Sequence, residues 1–248
     1  SHRLTLSPRQ RIVSVRELSR RAAAGEPAGS IGEDYAYMGL DTCAACGLCS
    51  TACPVGINVG DLTRRLRGRK LGNTARAVNA WTGEHFGTLA NASRLGLSVG
   101  HAFSSVLGDN FLSRVSGGAW KKNMPYAGKA PAVRVTQGDP VVYFPGCGGR
   151  IFGPSASGDA QLGDVIIELL VRAGYAPRLP EGFDKLCCGQ MLASKGMAEE
   201  AEGMSDTLEA ALMKASENGR YPVIMDASSC STRMQEHLAG RLQLYDFH

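Results

Sequence analysis

The sequence predicts an α/β chain of two modules: an all-helical module over residues 1–120, a linker over 121–139, and a parallel α/β module over 140–248. Three observations predict it. Helical periodicity and breaker glycines fill the first part, whereas from Pro140 onward short apolar runs alternate with helical stretches. Charge changes sign at the same place, with 18 Lys+Arg against 9 Asp+Glu up to Asp139 and 9 against 14 beyond it. The eight cysteines fall in groups of four, one, two and one, the four in the first part and the rest in the second.

Composition narrows the class further. A chain of 248 residues with 44% hydrophobic residues can bury a real core. It has no run of eighteen apolar residues and no charged leader before an apolar segment, so a soluble protein without a transmembrane segment is expected. Its expected place is the cytoplasm, including the inner face of the membrane as a peripheral protein. Clustered thiols in a reducing compartment read as ligands rather than disulfides. The basic first part lacks interleaved aromatics, so no nucleic-acid partner is expected. The start at Ser1-His2, without methionine, reads as the scar of a cleaved tag on a piece of a longer protein.

In chain order, Ser7-Pro8 opens a first helix that Gly25 ends. Ile12, Val15, Leu18 and Ala22 are its expected buried stripe, and Arg9, Arg16, Arg20 and Arg21 its solvated or partner-facing side. A loop over 26–32 and a short helix over 33–38 lead to the cysteine run. After that run Asp61 is the expected cap of a helix carrying Arg64, Arg65, Arg67, Arg69 and Lys70, read either as a solvated face or as a docking surface for an acidic redox partner. From Asn73 to Leu112 the pattern is helical, with Ala77, Trp81, Leu89, Leu95, Leu97, Val99, Phe103, Val106 and Leu107 as core candidates. Gly83, Gly87, Gly96, Gly100 and Gly108 are its expected breaks. Residues 117–140 read as a linker. Strands are expected over 140–144, 176–179, 221–225 and 242–245, and helices over 159–173, 198–217 and 229–239. This alternation predicts a parallel sheet with right-handed crossovers.

The stretch Cys43-Ala-Ala-Cys46-Gly-Leu-Cys49-Ser-Thr-Ala-Cys53-Pro54 has spacings of two, two and three closed by proline, the run that binds a [4Fe-4S] cluster in bacterial ferredoxins. Cys43, Cys46, Cys49 and Cys53 are therefore the candidate cluster ligands, and the first module is read as ferredoxin-like. A zinc knuckle is the alternative. In two-cluster ferredoxins the fourth cysteine serves the other cluster, and this chain has no second run. Here Cys53 is expected to close its own cluster.

Each remaining cysteine follows an expected strand: Cys147 the first, Cys187 and Cys188 the second, Cys230 the third. Loops leaving the carboxyl ends of parallel strands gather on one edge. All four thiols are therefore expected to meet and to hold a metal, either a second cluster or zinc, with the helix starts at Gly189 and Ser229 favouring its negative charge. Pro145-Gly146-Cys147-Gly148-Gly149-Arg150 lacks the lysine and hydroxyl of a phosphate loop.

At Cys187-Cys188-Gly189, with Cys147 before and Cys230 after, the second module resembles the cysteine-rich CCG domain of heterodisulfide reductases and glycolate oxidase iron–sulfur subunits. With the first run, the whole chain resembles the iron–sulfur region of FAD-linked D-lactate and D-2-hydroxyacid dehydrogenases. The matching stretches are Leu40-Asp41-Thr42-Cys43, Cys53-Pro54-Val55-Gly56-Ile57 with Gly60-Asp61-Leu62, and Cys188-Gly189-Gln190-Met191 through Ala193-Ser194-Lys195-Gly196. The resemblance implies an oxidoreductase part that carries electrons from an FAD in a flavin-binding domain of the full-length protein to a quinone or protein acceptor. It also implies no catalytic residue in this part itself. The family's Cys-x-x-Cys near the end is here Ala227 and Cys230, which leaves four thiols and favours a four-thiolate site. A zinc-stapled docking module and a thiol/disulfide reductase of the heterodisulfide type are the alternatives.

Overall fold

The computed structural model describes residues 5–134, 137–155 and 158–247. Two compact units divide it, one running from the N-terminus to Ala80 together with Met191–Ala201, the other Trp81–Gln190 with Glu202–His248. The 121–139 stretch does not separate them, because residues 81–139 cluster with the α/β unit. Nor does it behave as a free linker: Tyr126 N–H donates to Pro154 O, Gly128 N–H to Ile151 O, and Ala127 bridges Phe152.

The first unit begins with α1 (Pro8–Ala23), closed by a reciprocal cap in which the Ser7 hydroxyl accepts from Gln10 N and the Gln10 side chain from Ser7 N, with Pro8 in the first turn. Its expected apolar stripe is not the buried face. Ile12 and Ala22 are exposed, Val15 and Leu18 half-buried, and the one buried residue is Arg11. That guanidinium donates to Gly39 O at 2.9 Å, Thr5 Oγ1 at 2.7 Å and Thr42 Oγ1 at 3.3 Å, so a charged anchor takes the place of an apolar one. α2 (Gly29–Tyr35) starts inside the expected loop and continues as a π-helical segment (Ala36–Asp41). A single widened turn of this kind is common beside functional sites. There follow α3 (Leu48–Thr51), α4 (Val59–Lys70) and α5 (Asn73–Glu84). The cap of α4 is Asn58, accepting from Gly60 N, rather than Asp61, which lies in the first turn and pairs with Arg64.

In the second unit, α6 (Phe86–Leu107) and α7 (Asp109–Val115) cover the expected helical stretch. The breaks fall at His85 and at Gly108, which has φ +79°, while Gly87, Gly96 and Gly100 lie inside α6. Gly100 is there for space: a Cβ would stand 2.2 Å from the Trp120 ring. Of the core candidates over this stretch only Leu97 is buried. Leu89 is half-buried, and Ala77, Trp81, Leu95, Val99, Phe103, Val106 and Leu107 are exposed, Val106 by 80%. Periodicity marked an apolar face here without saying which side finds a partner.

The sheet follows the expected alternation: β1 (Asp139–Phe144), α8 (Cys147–Ile151), α9 (Leu162–Arg172), β2 (Tyr175–Arg178), α10 (Gln190–Lys195), α11 (Ala198–Ala215), β3 (Val223–Met225), α12 (Ser228–Leu238) and β4 (Leu244–Asp246). All pairings are parallel, in the order β2-β1-β3-β4. Central β1 is a continuous buried run, Val141 to Phe144, as a strand covered on both faces must be. One core joins Val142, Phe144, Leu208, Leu212, Val223, Met225 and Met234; the other joins Val141, Tyr143, Ile166, Ile167 and Leu170. Among the described residues no helix is long and apolar enough to cross a membrane.

Candidate metal centres

The first cysteine run forms a loop with two residues in the left-handed region, Ala45 at φ +51° and Gly47 at φ +78°. Those reversals let Cys43, Cys46 and Cys49 line one cleft of about 620 Å³ together with Thr42, Ala45, Val59 and Gly60. Backbone donors face the sulfurs: Ala45 N–H lies 3.4 Å from Cys43 Sγ and Val59 N–H 3.2 Å from Cys49 Sγ. Such donors tune the potential of a cluster held by these sulfurs. Gly60 lets α4 approach, since a Cβ there would meet Asn58 Oδ1 at 2.9 Å and the Ala45 backbone at 3.2 Å. Cys53 is not part of the cleft lining. The backbone N–H groups of Ile57 and then Val55 hold its thiol below the ordinary range.

Two arginines of the charge run turn inward onto this loop. Arg67 donates to Leu40 O at 2.5 Å, to Cys43 O at 2.6 Å and to Ser194 O at 2.6 Å. Arg64 donates to Ala45 O at 2.7 Å and to Asp61 at 2.9 Å. Arg65, Arg69 and Lys70 are exposed, so only that half of the run is a solvated face. The i, i+3 spacing of Arg64 and Arg67 was the available signal, but nothing local says which side of α4 faces the loop.

The second set is brought together by the sheet. Cys147 opens α8 after β1, Cys187 and Cys188 precede α10, and Cys230 lies in the first turn of α12 after β3. Cys147 and Cys187 sulfurs stand 4.0 Å apart. Cys187 is pushed up to about 11: its contact with Cys147 lowers it, but its contact with Cys188 and burial outweigh that. Cys188 is pushed up to about 12, where the Cys187 contact lowers it and Cys230 with burial prevails. The contact with Cys187, then burial, raises the Cys147 thiol as well. Sulfur contacts thus run from Cys147 through Cys187 and Cys188 to Cys230. All eight cysteines are free thiols.

No protein-family model, curated protein or solved structure matches the chain.

Sequence reasoning missed two groups around the second set. Buried Arg150 lies against Cys147 and Cys187 electrostatically and donates to Phe183 O and, at 2.5 Å, to Leu186 O. Its guanidinium sits 5.3 Å from the Phe144 ring centre. Burial pulls it below its ordinary value and the neighbouring thiols oppose that; an arginine remains charged regardless. Asp226 accepts from Gly146 N at 2.5 Å and from Tyr143 Oη at 2.7 Å, tying the loop of Cys147 to that of Cys230. Nothing local in the motif marked Arg150 as buried; the carbonyls that hold it lie more than thirty residues away.

The spacing of the sulfurs bears on what they can hold. A tetrahedral zinc with bonds of about 2.3 Å needs its thiolates about 3.8 Å from one another. No three of the eight cysteines have sulfurs mutually within 4.8 Å.

Proposed function

We propose that this chain is the electron-transfer, iron–sulfur part of a flavin-dependent 2-hydroxyacid dehydrogenase of the D-lactate type. Electrons would come from FAD in another domain of the full-length protein and leave to a quinone or protein acceptor. The observation that carries the reading is the cleft lined by Cys43, Cys46 and Cys49, with backbone N–H groups on two of its sulfurs and two inward arginines on its carbonyls. Cys53, whose thiol is held below the ordinary range by the Ile57 and Val55 backbone, is proposed as the fourth ligand. A bound [4Fe-4S] cluster supplies one-electron transfer. The protein's share is to hold the thiolates, offer N–H donors to sulfur and balance negative charge. At the second set, Arg150 gives Cys147 and Cys187 a buried counter-charge, suited to an anionic four-thiolate centre that Cys188 and Cys230 would complete.

Anaerobic reconstitution with iron and sulfide, followed by metal analysis and electron paramagnetic resonance of the dithionite-reduced chain, tests the proposal. Iron with acid-labile sulfide and a reducible signal supports it. Zinc alone, or iron-loaded protein without such a signal, overturns it. A second reading, thiol/disulfide chemistry at the second set, is favoured by the 4.0 Å approach of Cys147 and Cys187. It requires that Cys188→Ser abolish disulfide reduction and leave the first cluster's spectrum intact.

A further inference from the structure

Within the second unit, α6 has two apolar faces. One is packed: α6 buries Phe86, Ala90 and Leu97 and lies against α8 and the turn of residues 183–185. His101 continues that side, its ring stacked on Tyr126 with centres 4.0 Å apart. The other face meets solvent. Leu95, Val99, Phe103 and Val106 recur every three or four residues and so share one stripe, and all four are exposed, Leu95 by 65%. At about 100° per residue, Val106 stands about 180° and Leu95 and Val99 about 160° from buried Leu97, on the opposite side of the helix. The stripe runs about 17 Å along the axis. α7, which packs against α6, adds Phe111 and Val115 one turn apart, Val115 being 71% exposed.

The charges around the stripe say what covers it. From Leu95 to Gly108 the chain has no Asp, Glu, Lys or Arg. Cations flank that interval, Arg94 before it and Arg114, Lys121 and Lys122 after it, the last three exposed. The one acid between residues 85 and 122 is Asp109, and its carboxylate is turned inward, accepting from Ser104 Oγ at 2.5 Å and from Trp120 Nε1 at 2.9 Å. An uncharged apolar stripe with cations at its ends and no acid facing outward is complementary to an anionic lipid surface: acyl chains receive the stripe and phosphates the cations. A second copy of the chain fits worse, because a two-fold contact through this face would bring cations together with no outward acid to pair them. We propose that α6 and α7 form a membrane-docking face that rests in the headgroup region of an anionic phospholipid bilayer, with α6 lying in its plane. The face is independent of the thiol centres and of their redox reading.

Co-sedimentation of the full chain with vesicles tests the face. Equimolar phosphatidylglycerol and phosphatidylcholine should bind it, and pure phosphatidylcholine far less. Phe103→Asn combined with Val106→Asn should weaken binding about tenfold or more, since both apolar side chains enter the bilayer. Lys121→Gln and Lys122→Gln should each weaken it about fivefold, while Arg172→Gln, an exposed cation on α9, leaves it unchanged. All of these side chains are exposed, so circular dichroism of every variant should match wild type. The basic first unit can attract anionic vesicles by charge alone, and the apolar pair separates the two effects. Binding that Phe103→Asn with Val106→Asn leaves as tight as wild type would lie elsewhere on the chain and overturn the docking face. Equal binding to both kinds of vesicle would overturn it too, as would no binding to either, which leaves the stripe to a protein partner. Self-association of the lipid-free chain that the same pair abolishes would make the stripe a contact between copies instead.

Discussion

Removing the Arg67 guanidinium should loosen the first cysteine loop more than any other single surface change in that unit. Its three acceptors, Leu40 O and Cys43 O of one turn and Ser194 O from a distant stretch, lie at 2.5–2.6 Å. Hydrogen bonds from a charged donor contribute about 1.5–3 kcal/mol each. Arg67 is half-buried, so water replaces part of what is lost. Arg67→Ala is therefore expected to cost about 2–4 kcal/mol, and Arg67→Lys about half as much, because an ammonium lacks the planar fork that spans separated carbonyls. The assay is hydrogen exchange of the Cys43 amide, which donates to Leu40 O. With tenfold per 1.4 kcal/mol, opening should become about 30- to 700-fold more frequent in the alanine variant. Exchange at Cys43 within threefold of wild type would refute the reasoning, as would a lysine variant that matches arginine.

Four further outcomes follow from the same geometry. Gly60→Ala forces a Cβ against Asn58 Oδ1 and the Ala45 backbone and should destabilise the chain by about 1–3 kcal/mol in thermal unfolding; an unchanged midpoint would contradict it. Asp226→Asn can accept with one oxygen where the carboxylate uses two, so it should lose either the Gly146 or the Tyr143 bond and about 1–3 kcal/mol, read by urea unfolding. In metal-free protein at pH 8, iodoacetamide should label Cys53, whose thiol is lowered, well before Cys187 and Cys188 at about 11 and 12, as peptide mass spectrometry would show. Glu17 is lowered to about 2 by its bonds from Arg20 and then Arg21. A depressed carboxylate stabilises the fold above its unfolded value near 4.5 and ceases to do so as pH falls through about 2, so Glu17→Gln should flatten the acid limb over that window.

Much of the second unit was legible before any coordinates. The strands around Val141–Phe144, Ala176, Val223–Met225 and Leu244 fall where alternation put them, and the parallel order sends Cys147, Cys187 and Cys230 to neighbouring loops. Capping at Ser7-Pro8 was also readable, since it depends on residues three apart. Burial along α1 and α6 was not: Ile12 and Phe103 have apolar side chains at helical spacing, yet both are exposed. Periodicity defines a face, and only a packed neighbour buries it.

The sequence by itself determined the donors: eight thiols in two sets, their spacing, and a parallel α/β frame to present the second. These are local properties, set by residue type and by chain direction after each strand. The tertiary structure decided which charges serve them. Arg64 and Arg67 read as part of a solvated or docking face, and nothing local singled out Arg11 or Arg150, until folding brought distant carbonyls within 3 Å of each. It also decided that Cys53 bonds to the backbone beyond it while Cys43, Cys46 and Cys49 share a cleft, and that His237 meets three acids of α11. A long polar side chain is buried only where unpaired groups from other segments converge, and that convergence is a property of the fold rather than of any stretch of chain.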